Sequence, residues 1–217
     1  ISDLNEFWAL ALPEVYGVEY RTPADPIPYF PDSGRIPDCG PESIPPDIAS
    51  GNAFYCEPDD YVAWDAEGLF PQLYTEFGDF AVALVLAHEW GHVIQARSRG
   101  SVRGPTIMTE LQADCFAGAW TADIAGGERS VLQLEEGDLE EAMAGYLLFR
   151  DPPGTSPMDP SAHGSGFDRV TAFQDGFFGG VARCASYEQG EYQVVDIPLT
   201  QADLATGGDL PFDEMVP

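Results

Sequence analysis

Two of the three histidines in this chain lie four residues apart in LVLAHEWGHVIQ, residues 84–95, within an otherwise apolar stretch. Four residues are close to one turn of an α-helix, so His88 and His92 would project from the same helical face. Imidazoles in that arrangement reach a single zinc ion from one side. The segment therefore predicts a metal-binding helix, the alternative being two histidines hydrogen-bonded within a protein core.

The residues between the two histidines refine this prediction. Glu89 follows the first histidine and lies at the edge of the same face, where its carboxylate reaches a zinc-bound water without binding the metal. Gly91 costs about 1 kcal/mol relative to alanine in a helix interior, which indicates that another part of the chain packs closely there. The pattern predicts Glu89 as a general base.

A catalytic zinc ion needs a third protein ligand and one open coordination position. The segment TELQADCFAG places Glu110 and Asp114 four residues apart, again on one helical face. Buried carboxylates are costly unless they are paired or metal-bound. We therefore expect Glu110 to complete the ligand set and Asp114 to orient a ligand histidine. The alternatives are the reverse assignment, with Asp114 as the ligand, and two acids exposed to solvent.

The charge of the chain excludes several partners. It carries 37 acidic and 9 basic side chains, every basic one an arginine, for a net charge of −28. Nucleic acid is a poor partner because phosphate binding needs clustered lysine and arginine, and no apolar run is long enough to span a bilayer. Most of the acids are expected to be solvated. EPDD (57–60) and GGD (207–209) are weak candidates for a structural Ca²⁺ site.

The four cysteines allow three disulfide pairings. Cys39 and Cys56 are close in sequence, and a bond between them would stabilise the chain by roughly 3 kcal/mol through loop entropy. That pairing leaves Cys115 with Cys184, which would tie a helix to the C-terminal third. An even cysteine count favours an oxidising, extracytoplasmic compartment, and four buried free thiols are the alternative.

The remaining pattern predicts an α+β architecture in one domain, residues 1–217, because neither an internal repeat nor a domain linker is visible. The predicted elements are a short helix before Pro13 capped by Ser2 or Asp3, an irregular segment over 21–50, a strand pair over 52–65, helices over 72–98, 106–125, 135–151 and 168–187, a loop over 152–166, and a short strand over 192–198. Gly100 is expected just after the helix over 72–98, and Gly126 with Gly127 is expected to end the helix that begins at residue 106.

Three motifs together resemble the neutral zinc metallopeptidase family: HEWGH, then ELQADCFAG, then HGSGFDRVTAFQDGF. The first two are also similar to the gluzincin clan. The resemblance implies a zincin-like domain with a small twisted sheet, an HExxH active-site helix and a second helix that carries a ligand. It implies His88, His92 and Glu110 as ligands and Asp114 behind His88. The segment GNAFYCEPDDYVAWD resembles the strand pair above the zinc in thermolysin-like enzymes, which implies that Asn52 and Ala53 contact the substrate backbone.

His163 is the remaining histidine and lies in a glycine-rich loop. It is expected either to stabilise the negative charge that develops on the former carbonyl oxygen or to hold the loop by hydrogen bonding. Arg169 is expected to pair with a carboxylate of the core or of the site.

The sequence thus predicts zinc-dependent hydrolysis of peptide bonds in a peptide or protein substrate, with Glu89 as the general base. Two other functions remain open. One is an inactive zinc-binding recognition module, and the other is a zinc amidohydrolase that acts on a non-peptide amide of the cell wall.

Overall fold

The computed structural model describes residues 1–98, 104–127, 132–195 and 200–206. The described chain is α+β, with mostly helices and few strands. The helices are α1 (Ser2–Tyr16), α2 (Pro46–Ala49), α3 (Leu69–Phe77), α4 (Asp79–Ser98), α5 (Thr106–Gly126), α6 (Asp138–Leu148), α7 (Gly166–Ala185) and α8 (Gln201–Thr206). The strands are β1 (Ile27–Tyr29), β2 (Asp38–Cys39), β3 (Glu42–Ser43), β4 (Ala53–Cys56) and β5 (Tyr61–Asp65).

The main sheet has the strand order β1-β5-β4. Strands β4 and β5 pair antiparallel, with Ala53 opposite Trp64, which confirms the predicted strand pair. Strand β1 pairs parallel with β5 and was not expected within the proline-rich segment 21–50. Three residues in that segment form a strand because a partner strand satisfies their backbone groups, which a local pattern does not reveal.

Both predicted disulfides are present, so the alternative of four free thiols is excluded. The bond between Cys39 and Cys56 joins β2 to β4, and the bond between Cys115 and Cys184 joins α5 to α7. Each pair has a Cα separation within the usual range, 5.7 Å and 5.5 Å. The second bond fixes two of the longest helices to each other.

Helices α4, α5 and α7 contribute much of the main hydrophobic core. Trp8, Trp90 and Trp120 are almost fully buried in it. The indole N–H of Trp90 donates to Asn5 Oδ1 and Tyr20 Oη, so α4 is attached to the N-terminal segment. Glycines allow close helix packing, since a Cβ added at Gly176 would lie 1.8 Å from the carbonyl oxygen of Cys115.

The predicted single helix over 72–98 is wrong. The chain forms two helices, α3 and α4, that are separated at Gly78. Gly78 has φ 86° and ψ −177°, a conformation that favours glycine, and a Cβ there would lie 2.0 Å from Glu141 Oε2. The apolar pattern continues through the break because both helices face the same core.

The first helix extends further than predicted. Helix α1 continues through Pro13 to Tyr16 and ends at Gly17, which has a left-handed conformation. Its N-cap is Ile1 without a side-chain cap, so neither Ser2 nor Asp3 has the predicted role. A proline within a helix loses one backbone hydrogen bond, and here tertiary packing of the apolar face outweighs that loss.

The C-terminal half follows the prediction in part. Helix α5 ends at Gly126 with Gly127 in a left-handed conformation, and α6 begins at Asp138. Helix α7 begins at Gly166, two residues earlier than predicted, because Ser165 caps it by accepting from the N–H of Asp168. The described residues 192–195 do not form the predicted strand, and Gly100 lies outside the described residues.

Candidate metal centre

Three predicted ligand side chains converge between α4 and α5. One ligand atom each of His88, His92 and Glu110 lies within 4.8 Å of the other two. His88 Nε2 is 3.2 Å from Glu110 Oε2, and His92 Nε2 is 3.7 Å from Glu110 Oε1. Ligand atoms around a tetrahedral zinc ion lie about 3.3 Å apart, so these distances and this set of two nitrogens and one carboxylate fit zinc.

Gly91 explains how the two helices approach closely enough. A Cβ at this position would lie 2.7 Å from Cα of Ala113 and 3.1 Å from its carbonyl oxygen. The close packing inferred from the sequence is therefore confirmed, and the contact lies between α4 and α5. The absence of a side chain at Gly91 brings the histidine face of one helix against the Glu110 face of the other.

A buried ion pair lies behind His88. The Nδ1 atom of His88 is 2.7 Å from Asp114 Oδ1. Arg169 donates to the same carboxylate, from Nε to Oδ2 and from Nη2 to Oδ1, each at 2.8 Å. Asp114 is fully buried and Arg169 is 4% exposed. The arrangement places a proton on His88 Nδ1 and directs Nε2 toward Glu110 and His92.

The charges around the three donors favour a cation between them. Burial raises the pKa of Glu110, but His92 and His88 lower it to well below its usual value. Burial lowers the pKa of His88, yet the carboxylates of Asp114 and Glu110 raise it overall to about 10. Burial likewise raises the pKa of Asp114, but the Arg169 guanidinium lowers it, so that the pKa of Asp114 is lowered overall. A site that stabilises positive charge in this way suits a divalent metal ion.

Glu89 lies beside the three donors but outside their cluster. Its side chain is buried, and burial raises the pKa of its carboxyl while the two imidazoles lower it, the net direction being up. The backbone N–H of Tyr55 in β4 bonds to this carboxylate. Glu89 of α4 thus faces the edge strand β4.

The donors line a cleft of about 650 Å³ between the sheet and the helices. Asn52 and Ala53 form part of its wall. In the antiparallel pairing, the N–H of Asp65 bonds to the carbonyl of Asn52, so Ala53 and Tyr55 direct their backbone groups away from β5. Strand β4 is the last strand of the main sheet within the described part of the chain.

His163 lies at the mouth of the cleft and not among the converged donors. Its side chain is 55% exposed, and its Nδ1 is 3.8 Å from Asp151 Oδ1. The backbone N–H of His163 donates to Asp151 Oδ2 at 2.9 Å. The loop is therefore held by its backbone, and the imidazole is left facing the cleft.

Two side chains in the site were not expected from the sequence. Gln95 accepts from His92 Nδ1 at 2.8 Å, and its position one turn after His92 was a usable signal. Tyr146 of α6 lines the cleft, and its buried hydroxyl has no hydrogen-bond partner among the described residues. The Arg169 guanidinium lies 4.9 Å from the centre of the Tyr146 ring. No local pattern distinguished this tyrosine from an ordinary core aromatic.

Residues 39–187 match the family described as "Putative neutral zinc metallopeptidase". This chain belongs to that family. The match includes every converged donor, so the family resemblance seen in the sequence is confirmed and zinc is the metal that the family name implies.

Curated relatives of this metallopeptidase-family chain include proteins of Escherichia coli and Mycobacterium tuberculosis. It is 32% identical to protein YpfJ of Escherichia coli K12 in an alignment of 158 positions that covers 62% of this chain and 53% of that protein. It is 29% identical to protein Rv2575 of Mycobacterium tuberculosis H37Rv in an alignment of 171 positions that covers 67% of this chain and 56% of that protein. The chain spans about half the length of the curated relatives it matches. No solved structure matches it.

The predicted calcium sites gain no support in this family member. Asp60 pairs with Arg21 and Arg97, and Asp59 accepts from the N–H of Gly40. Asp59 and Asp60 are therefore engaged by protein groups. Among the described residues, none of the acids of 57–60 belongs to a cluster of side chains that could hold a metal ion. The second candidate, 207–209, lies outside the described residues.

Among the helices that the structure describes, none has both the length and the apolar character needed to cross a membrane.

Proposed function

We propose that this chain is a zincin-like metallopeptidase domain that hydrolyses peptide bonds with a zinc ion held by His88, His92 and Glu110. The supporting observation is the convergence of these donors at a cleft. We also propose that residues 1–217 form one domain, since a single buried cluster contains residues from Leu4 to Tyr187. Structural calcium forms no part of the proposal.

Zinc, when bound, polarises the scissile carbonyl and lowers the pKa of a coordinated water. Glu89 is the general base in this proposal. Its carboxylate would take a proton from the attacking water and return it to the leaving amine. Burial raises the pKa of Glu89, which makes its carboxylate a stronger base. The Tyr55 N–H holds this side chain at the cleft wall, so the carboxylate is positioned before substrate binds.

Strand β4 supports a peptide as the substrate. An extended peptide adds to an exposed sheet edge through backbone hydrogen bonds, and Ala53 directs its backbone groups to the side away from β5. The Asn52 side chain already accepts from the Ala53 N–H at 2.9 Å, which leaves the Ala53 carbonyl for a substrate N–H. We propose that Asn52 and Ala53 bind the substrate backbone.

His163 is the proposed donor to the developing oxyanion. It lines the cleft outside the ligand cluster, and its side chain is 55% exposed. Substitution with alanine is expected to lower kcat without changing zinc content. An unchanged kcat would assign His163 a role in loop structure only.

The two disulfides support an extracytoplasmic location, because such bonds persist in oxidising compartments. We propose that the domain acts there on peptide or protein substrates.

The decisive experiment is metal analysis of the purified wild type beside His88→Ala and Glu110→Ala. We expect one zinc per chain in the wild type and loss of that zinc in both variants, with circular dichroism showing that each variant is folded. A folded wild type that binds no zinc would refute the proposal. Zinc retained in Glu110→Ala would assign the third ligand to another residue.

Product analysis on peptides and on cell-wall fragments then separates the classes of reaction. Cleavage of peptides supports the proposal. Cleavage of cell-wall amides alone would identify an amidohydrolase, and zinc binding without hydrolysis of either substrate would identify a recognition module.

A further inference from the structure

We propose that Gln95 and Gln112 form an amide relay that sets the tautomer of His92 and so presents its Nε2 to the metal. The inference rests on the proposed zinc site and assigns a positioning role to two residues outside the ligand set. Neither glutamine is among the three converged donors.

The relay is a continuous chain of hydrogen bonds. His92 Nδ1 lies 2.8 Å from Gln95 Oε1. Gln95 Nε2 donates to the carbonyl oxygen of Thr109 at 2.7 Å and to Gln112 Oε1 at 3.1 Å. Gln112 Nε2 donates in turn to the carbonyl oxygen of Cys184 at 3.1 Å. The relay thus runs from α4 across α5 to the end of α7.

Two backbone carbonyls determine the direction of every hydrogen bond in the relay. A carbonyl oxygen only accepts, so Thr109 requires the NH₂ group of Gln95 on its side and the amide oxygen toward His92. The Cys184 carbonyl orients Gln112 in the same manner, which turns Gln112 Oε1 toward Gln95. The amide assignment therefore follows from acceptor-only groups.

The orientation of Gln95 decides the tautomer of His92. An amide oxygen accepts only, so the ring must carry its proton on Nδ1 to bond to Gln95 Oε1. The lone pair of the neutral ring then lies on Nε2, the atom that is 3.7 Å from Glu110 Oε1. Partners of this kind fix the ring orientation of metal-binding histidines.

The two histidines have partners of different charge. His88 bonds to the Asp114 carboxylate, which Arg169 also binds, whereas His92 bonds to a neutral amide. Gln112 is fully buried, and a buried amide is costly unless it is hydrogen-bonded. Its bonds to Gln95 and Cys184 supply that compensation. The far end of the relay is attached covalently to α5, because Cys184 is bonded to Cys115.

The affinity test uses the purified chain and Zn²⁺ in competition with a chromophoric chelator. Gln95→Leu is expected to weaken zinc binding about 10- to 100-fold, and Gln112→Leu to weaken it less but in the same direction. Gln72→Leu is the matched control, since Gln72 is exposed on α3 and bonds only locally to Glu76 among the described contacts. Its zinc affinity should equal that of the wild type.

Nitrogen-15 NMR of the zinc-loaded wild type tests the tautomer without any variant. The chain has three histidines, so His163→Ala, which leaves the relay intact, removes one set of ring signals and simplifies the assignment. We expect a slowly exchanging proton on His92 Nδ1 with zinc on Nε2, and faster exchange of that proton in Gln95→Leu. A proton on Nε2 of His92, or unchanged zinc affinity in Gln95→Leu, would overturn the relay.

The relay and the proposed function fail in different ways. If the wild type binds no zinc, the proposed function fails. If the wild type binds zinc and Gln95→Leu binds it equally well, only the relay fails.

Discussion

Asp114 Oδ1 lies 2.7 Å from Nδ1 of His88, and the two residues come from different helices. Asp114 is four positions after Glu110 on α5, so one helix supplies both a converged donor and the partner of another donor. Arg169 of α7 binds the same carboxylate. The orientation of His88 therefore depends on the packing of α4, α5 and α7 together.

Removing the guanidinium should deprive the buried Asp114 carboxylate of both bonds from Arg169 and leave His88 as its remaining described partner. We expect Arg169→Met to lower the free energy of unfolding by about 3–5 kcal/mol, because Asp114 is fully buried. The matched control is Arg183→Met, also on α7, whose side chain is 34% exposed in its pair with Asp175. It should cost about 1 kcal/mol or less. Urea unfolding at fixed salt measures both, and equal losses would contradict the prediction.

The closeness of α4 and α5 depends on Gly91. A methyl group there must displace the backbone at Ala113, so Gly91→Ala should cost about 1–3 kcal/mol and weaken zinc binding by separating the histidines from Glu110. Gly126→Ala is the control, because a Cβ at that position meets no atom within 4 Å. The control should be neutral or slightly stabilising. Thermal unfolding and chelator competition together test the pair, and a Gly91→Ala protein with wild-type zinc affinity would count against it.

Glu89→Gln should separate proton transfer from metal binding. The variant keeps the shape of the side chain and an oxygen to accept from the Tyr55 N–H. We expect kcat to fall about 10²- to 10⁴-fold while zinc content stays at the wild-type level. Glu57→Gln, at an exposed acid that also lines the cleft, should retain most activity. Peptide hydrolysis beside metal analysis gives both readouts, and an active Glu89→Gln enzyme would remove Glu89 from the mechanism.

The lowered pKa of Asp65 predicts that the stability of the fold depends on pH. Burial raises the pKa of its carboxyl, but N–H groups of Gly68, Gly51 and Glu67 bond to it and lower the pKa overall. Because its pKa is lower in the folded state, the Asp65 carboxylate stabilises the fold at pH values above its unfolded-state pKa of about 3.9. This contribution disappears as the pH falls through the folded-state pKa. Asp65→Asn should therefore cost about 1.5–3 kcal/mol at pH 7 and less below about pH 4.

The Asp65 prediction is checked by urea unfolding at several pH values. Asp25→Asn, at an exposed acid, serves as the control and should change stability by no more than about 0.5 kcal/mol. A difference between wild type and Asp65→Asn that grows toward low pH would contradict the sign.

The net charge of −28 predicts that salt stabilises the fold. Repulsion among the acids weakens as the Debye length shortens from about 10 Å at 0.1 M to about 3 Å at 1 M. Each 1 kcal/mol of relieved repulsion should raise Tm by about 2–4 °C. NaCl and KCl should act equally at equal ionic strength, because screening does not depend on the cation. A Tm that falls between 0.1 and 1 M would refute the prediction.

Local patterns were sufficient for the long helices and for the hairpin of β4 and β5. They failed where a distant partner decides the conformation. Gly78 divides the predicted helix 72–98 because the chain there packs against Glu141, and β1 forms because β5 lies beside it. Helix α1 passes Pro13 because its apolar face is buried. Each of these three errors concerns a tertiary contact, which outweighs local propensity.

The sequence by itself determined which residues are able to converge, since His88 with His92 and Glu110 with Asp114 each lie one helical turn apart, and helical periodicity is a local property. Only the tertiary structure decided how they are held. Arg169 behind Asp114, Gln95 beside His92 and the Tyr55 N–H on Glu89 come from segments or orientations that spacing does not specify. The physical reason is that a hydrogen bond depends on distances of a few tenths of an ångström between atoms, which packing of separate elements sets.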